Sequence, residues 1–154
     1  RARPPGAIQS SSYRVMVSYS AIRDGLAVRL RTLDLFTVVY STVPGRVVAP
    51  CAVVVPGRPI AGYHQSMAGA GGQLIRFSFD VLAIVQYMSE EYNQDALDAL
   101  ISGPASVPAA IEADTTLNGS ALTSQVTQAT DYGIVDFADS AYIGARFAVE
   151  VYAR

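Results

Sequence analysis

From Leu74 to Val85 apolar residues fall on every second position. Ile75, Phe77, Phe79, Val81, Ala83 and Val85 define the period of a strand with one buried face. Between them Arg76, Ser78 and Asp80 are polar, whereas Leu82 and Ile84 are apolar, so the second half of the strand needs cover on both faces. The segment that follows offers such cover. Ser89 suits an N-cap, Glu90 and Glu91 bring negative charge to a helix start, and Tyr92, Ala96, Leu97, Leu100 and Ile101 form an apolar stripe. Ser102, Gly103 and Pro104 end it. The pattern predicts a strand running into a helix that packs on it.

The rest of the chain extends this picture. Residues 1–20 read as an N-terminal arm, with Pro4, Pro5 and Gly6 followed by an alternation of Tyr13, Val15, Val17 and Tyr19 with Arg14, Met16 and Ser18. Such an arm is either a loose chain end or a strand that adds to a neighbour's sheet edge. Ser20 can cap a first helix, with Ile22, Leu26, Leu30 and Leu33 on one face and Arg23, Asp24, Arg29 and Arg31 away from it. Phe36 to Ser41 reads as a strand ended by Pro44 and Gly45. Cys51 to Val55, between Pro50 and Pro56, reads as a strand buried on both sides.

Gly57 to Gln73 is expected to be a long glycine-rich loop, carrying His64 and Met67, that orders against a partner. A short helix capped by Ser106 follows the central helix, and Asn118-Gly119 marks a turn. Last comes a hairpin, with an outgoing strand around Val126 to Phe137, a turn at Asp139 and Ser140, and a return strand from Tyr142 to Ala153. On the return strand Ile143, Ala145, Phe147, Val149 and Val151 alternate with Gly144, Arg146, Ala148, Glu150 and Tyr152, which fixes its register. The predicted fold is α+β: a mainly antiparallel sheet, two to three helices packed on one face, and a C-terminal β-hairpin, in a single domain over residues 21–154.

Composition adds two points. With 154 residues, of which 51% are hydrophobic and 16% charged, one domain with a substantial core is expected, and the low charge favours self-association. Charge is unevenly spread: residues 1–31 hold six of the eleven arginines and one acid, a net of +5, leaving five arginines and twelve acids, a net of −7, in the remainder. An acidic body argues against wrapping nucleic acid. No run of about 20 apolar residues occurs, so no membrane span is expected and the protein reads as soluble.

Candidate chemistry is sparse. Cys51 is the single cysteine and His64 the single histidine, which leaves no intramolecular disulfide and no cysteine-based zinc site within one chain. A catalytic pair of Cys51 and His64 would need an open, electropositive setting. Asp131, Asp136 and Asp139 gather near the hairpin turn, but their spacing is not that of a calcium loop, and aspartates at turns ordinarily bond the backbone. No P-loop, GxSxG or HExxH pattern is present. No catalytic, metal or cofactor site is expected.

From Ala21 onward the chain resembles the tail terminator proteins of long-tailed bacteriophages, particularly those of actinobacterial hosts. The matching stretches, in order, are LAVRLRTLDLFTVVY, CAVVVPG, RFSFDVLAIV, NQDALDALISG, SVPAAIEAD, DYGIV and YIGARFAVEVYAR. Their order and spacing carry the resemblance; the arm of residues 1–20 is an extension. The resemblance implies a structural virion protein at the tail–neck junction, assembled in the host cytoplasm. There it forms a hexameric ring that caps the tail tube, ends tube polymerisation and receives the head connector. DNA passes through such a ring without specific binding, which suits an acidic body. Arg23, Arg29, Arg31 or Arg146 meeting Asp131, Asp136 or Asp139 across subunits would be expected contacts, with His64 and Met67 on the partner loop. The alternatives are another neck or head-completion protein of the same virion, or a small enzyme using Cys51 and His64.

Overall fold

The alternation beginning at Ile75 is the central strand of the protein. A computed structural model describes residues 18–63 and 74–154. In chain order the elements are α1 (Tyr19–Leu30), β1 (Val38–Tyr40), β2 (Cys51–Gly62), β3 (Ile75–Ile84), α2 (Glu90–Ile101), α3 (Val107–Glu112), β4 (Thr123–Thr130), β5 (Val135–Phe137), β6 (Ser140–Tyr142) and β7 (Gly144–Ala153). The main sheet has the order β1-β2-β3-β7-β4, and β5 and β6 form a separate two-stranded ribbon. Only β1 and β2 pair in parallel. The fold is therefore α+β, as the patterning predicts.

Each face of the sheet has its own core. On one side Phe79, Val81 and Ala83 of β3 and Phe147, Val149 and Val151 of β7 pack with Ile22, Leu26 and Leu30 of α1, Leu97 and Leu100 of α2, and Ile111 of α3. Each large side chain buried this fully stabilises the fold by about 1.5–3 kcal/mol. On the other side Cys51, Val53, Leu82 and Ile84 pack under Val135 and Phe137. Leu82 and Ile84 are thus covered by the β5–β6 ribbon, which corrects the expectation that the helix after β3 covers them. Alternation explains why: α2 lies over the face of Val81 and Ala83, and the intervening residues point the other way.

Four further expectations change. α1 starts at Tyr19, because Ser18 rather than Ser20 is the N-cap and its Oγ accepts from the Ala21 N–H at 3.1 Å. The Tyr19 ring stacks on Phe79 with centroids 5.0 Å apart, so the domain reaches back into the stretch read as the arm. The arm's alternation, from Tyr13 to Val17, lies outside the described residues. β2 continues to Gly62, where a loop was expected from Gly57; the register against β3 shifts between Pro56 and Ala61. A strand that must carry Pro56 and Pro59 tolerates them at such an irregularity. On α2 the buried positions are Asn93, Leu97 and Leu100, while Tyr92 is exposed. Asn93 is buried because its Oδ1 accepts from the Met88 N–H at 3.1 Å and its Nδ2 donates to the Gln86 carbonyl at 2.9 Å, which fastens the β3–α2 link.

The C-terminal hairpin is real but carries an insertion. β4 and β7 pair antiparallel, and the stretch expected as one outgoing strand is two, β4 and β5. The turn at Asp139 and Ser140 belongs to the small ribbon, where Ala138 (φ 51) and Asp139 (φ 63) take the left-handed backbone of a two-residue hairpin turn.

One close approach holds the two halves of this arrangement together. Gly144 opens β7 opposite Ile84, and a Cβ there would run into the Ala83 carbonyl oxygen. Backbone cannot yield as a flexible side chain can. Gly144→Ala is expected to destabilise the fold by about 2–4 kcal/mol in denaturant titration, whereas Gly45→Ala, which meets nothing within 4 Å, stays within about 0.5 kcal/mol of the parent.

A second tight point follows α3. The Asp114 Oδ1 accepts from the Thr116 hydroxyl at 2.6 Å and the Thr116 N–H at 3.2 Å, while its Oδ2 accepts from the Asn118 N–H at 3.0 Å. These bonds hold Leu117 (φ 51) and Asn118 (φ 65) in left-handed conformations. Leu117 is thereby set into the helix-side core, where its carbonyl lies 2.7 Å from the position a Cβ on Gly25 would take. The Thr116 hydroxyl first, then the Asn118 amide, hold the Asp114 carboxyl below its ordinary value of 3.8. A carboxyl depressed on folding stabilises above its unfolded value, and that stabilisation is lost as pH falls through the folded one. Asp114→Ala should therefore melt below the parent at neutral pH, with the gap closing as pH drops under 3.8. Melts giving the same gap at neutral and acid pH would contradict this role.

Candidate functional site

The helices occupy one face of the sheet, and the ribbon covers only the end of the other face that carries Cys51, Leu82 and Ile84. What remains open is the polar half of that outer face. Arg146, on β7, stands at its centre. In the β3–β7 register Arg146 faces Leu82 and Asp80 faces Ala148, so Asp80 is the diagonal neighbour of Arg146 across the strands. The Arg146 Nη1 donates to the Asp80 Oδ2 at 3.0 Å, and its Nε donates to the Asp131 Oδ2 at 3.1 Å. Asp131 takes a left-handed φ of 57° just past the end of β4, a conformation that a short carboxylate side chain tolerates. One guanidinium thus ties β3, β7 and the entry to the ribbon together.

Two shallow depressions adjoin this cluster and share Arg58, Asp80 and Arg146. One, of about 470 Å³, lies against the ribbon over a floor including Val55, Leu82 and Phe137, with Asp136 at its edge. The other, of about 510 Å³, runs along β7 and β4 past Thr127, Gln128 and Glu150. Both are open; the one along β4 is mostly polar, whereas the one against the ribbon is mostly apolar with Arg58, Asp80, Asp136 and Arg146 among its lining. The geometry suits contact with a broad surface rather than enclosure of a small substrate.

The structure accounts for the other candidate residues individually. Arg29 Nε donates to the Ala110 carbonyl at 3.0 Å, fastening α1 to α3. Arg31 Nη2 donates to the Val39 carbonyl at 3.2 Å, fastening α1 to β1. Arg23 has its Nε buried with no partner, near Tyr19, whose hydroxyl is likewise buried and unpartnered. Burial raises the Tyr19 pKa, and the neighbouring Arg23 charge partly opposes that. Asp136 and Asp139 sit exposed on the ribbon. Arg146 finds its carboxylates, Asp80 and Asp131, within its own chain. His64 and Met67 lie outside the described residues. Among the described residues no three His, Cys, Asp or Glu side chains are grouped to hold a metal ion. No helix among them is long and apolar enough to cross a membrane.

Cys51 has no exposed surface, and burial pushes its thiol up to about 11. A thiol so placed is a poor nucleophile at neutral pH. Asp80 and Arg58 are the residues that sequence reasoning passed over. Asp80 was visible as a polar position on the strand, but its partner is 66 residues away. Neither a protein-family model nor a curated protein matches the chain.

A further feature lies at the ribbon's end of the sheet. Tyr132, half exposed, donates from its hydroxyl to the Asp98 Oδ1 of α2 at 2.9 Å, and this bond is the first cause of its raised pKa. Tyr87, Met88 and Ile134 are each more than 60% exposed. They are among eleven large apolar side chains that stand exposed on the described surface.

Arg146 is the pivot of the outer face, and its partners differ in exposure. Arg146→Met should cost about 1–3 kcal/mol, because it leaves two carboxylates unpaired. Asp80→Asn should cost about 1 kcal/mol and Asp131→Asn, at the more exposed contact, less. Denaturant titration of the three variants checks the order; equal losses for the two aspartates would refute it.

Proposed function

We propose that this chain is a structural virion protein of a long-tailed phage, which assembles as a ring on the finished tail tube, ends tube growth and presents the surface that the head connector meets. The observation that carries the reading is where the resembling stretches fall. LAVRLRTLDLFTVVY covers the end of α1 through β1, CAVVVPG opens β2, RFSFDVLAIV is β3, NQDALDALISG is α2, SVPAAIEAD spans α3 and its Asp114 loop, and YIGARFAVEVYAR contains β7. These are the elements that build the core.

Physical features agree with it. A ring of identical subunits needs two different surfaces on each. The outer sheet face with its two shallow depressions, and the free edge of β4, are two such surfaces on different sides of the molecule. The acidic body fits a lumen through which DNA slides. A neck or head-completion protein would share the same subunit physics, and assembly order distinguishes the two.

The test is the mass of the 16.3 kDa protein alone and after mixing with purified tail tubes, with imaging of tube ends. A ring at one tube end together with arrested growth is the expected result. Binding to filled heads instead of tubes would transfer the protein to the neck, and binding to neither would overturn the structural reading.

A further inference from the structure

The two edges of the main sheet differ. β1, at one edge, has three residues, whereas β4, at the other, has eight. The β4 sequence Thr-Ser-Gln-Val-Thr-Gln-Ala-Thr contains no charge and no proline. Proteins ordinarily blunt a long edge with lysine, proline, inward charges or a covering element, because unpaired N–H and C=O groups are a template for another strand. Here the protection is confined to a register irregularity at Thr127 and to the start of the strand, where the Ser124 hydroxyl bonds the Thr115 carbonyl. From Gln125 to Thr130 only Val126 is less than exposed, and among the described residues no backbone hydrogen bond reaches the outer edge of that stretch.

We propose that the β4 edge is a docking site for the stretch Tyr13–Val17 of a second copy of this chain, added as a further strand. This rests on the self-assembling reading given above and names the contact that joins neighbouring subunits. Three observations select the occupant. Tyr13, Val15 and Val17 alternate with Arg14 and Met16, the period an added strand needs. On the helix side the apolar set would extend the row of Val126 and Ala129, which pair with the inward-facing Val149 and Phe147. On the outer side Arg14 would come near Glu150 of β7, the acid opposite Gln125.

Geometry favours a second copy over the chain's own arm. Tyr19 lies beside Phe77 and Phe79 of β3, and β4 is two strands further across. A strand added outside β4 would stand about 14 Å from β3 in the sheet, and α1, which Ser18 caps, packs toward β1 and β2, on the side of β3 away from β4. Val17, one residue from Ser18, can move only about 3.5 Å from it. Pairing of Tyr13–Val17 with the same molecule's β4 is therefore out of reach, whereas a neighbour's edge is not so constrained.

The experiment uses the full chain with tail tubes present. Val15→Cys and Ala129→Cys proteins, each carrying the buried Cys51→Ala change, are mixed and oxidised. The expected product is a disulfide-linked pair containing one chain of each kind, formed only in the mixture. Val15→Pro, which removes one donor and cannot sit in an interior strand, should weaken assembly at least about tenfold by light scattering. A ring that forms equally well with Val15→Pro and gives no mixed disulfide overturns this inference while leaving the ring itself standing. Failure of the unmodified protein to assemble at all would overturn the functional reading beneath it.

Discussion

The stretch Val81 to Ile84 is shut from water on both sides of the sheet, and most of the architecture answers that demand. A strand with one wet face can lean on a single layer of helices; a strand apolar on both faces needs a second cover. The chain supplies it from within its own closing hairpin, whose connection swings out as β5 and β6 to lay Val135 and Phe137 over Leu82 and Ile84. The other requirements follow from that choice. β7 must return directly beside β3, which brings the Gly144 backbone against Ala83, and the route out of β4 must be fixed, which Asp131 achieves by its left-handed backbone and its bond to Arg146.

Much of this was legible in the residues because it repeats. Five odd positions on β3 and five on β7 declare a shared buried face, and Ser89 and Ser106 cap the helices they were expected to cap, accepting from the Tyr92 and Ala109 N–H groups. The parts that were hidden do not repeat. β5 and β6 are three residues each, too short to show a period, so one long outgoing strand was the natural reading. Pro56, Gly57 and Pro59 look like punctuation, yet they sit where the β2 register slips, and a slip leaves no trace in a single strand's pattern. Ser18 and Ser20 are equally good caps locally. The choice was made by Tyr19, whose ring finds Phe77 and Phe79 only once the sheet exists.

The candidate site shows the same division. Arg146 and Asp131 could be singled out as charged residues near a turn, but their partnership, and the part of Asp80, depend on which strands lie side by side. Charges close in space and distant in sequence are invisible until topology is known. The same geometry explains Arg29 and Arg31. Both were read as groups free to meet another subunit, and both donate to carbonyls that α3 and β1 bring to them. Cys51 was the opposite case, for a run of apolar neighbours between prolines already placed its sulfur inside.

The ribbon is an insertion between two strands that would pair without it. Its stem is a reciprocal pair of backbone bonds between Gly133 and Gly144, at 2.9 and 3.4 Å, flanked by the Asp131–Arg146 and Tyr132–Asp98 bonds, and its tip is held by side chains packed on one face. The buried cluster under the ribbon is separate from the helix-side core and smaller than it. Val53, Leu82 and Ile84 thus owe their dryness to the connection between β4 and β7, and shortening that connection to a tight turn would turn them into a greasy stripe on the outer face.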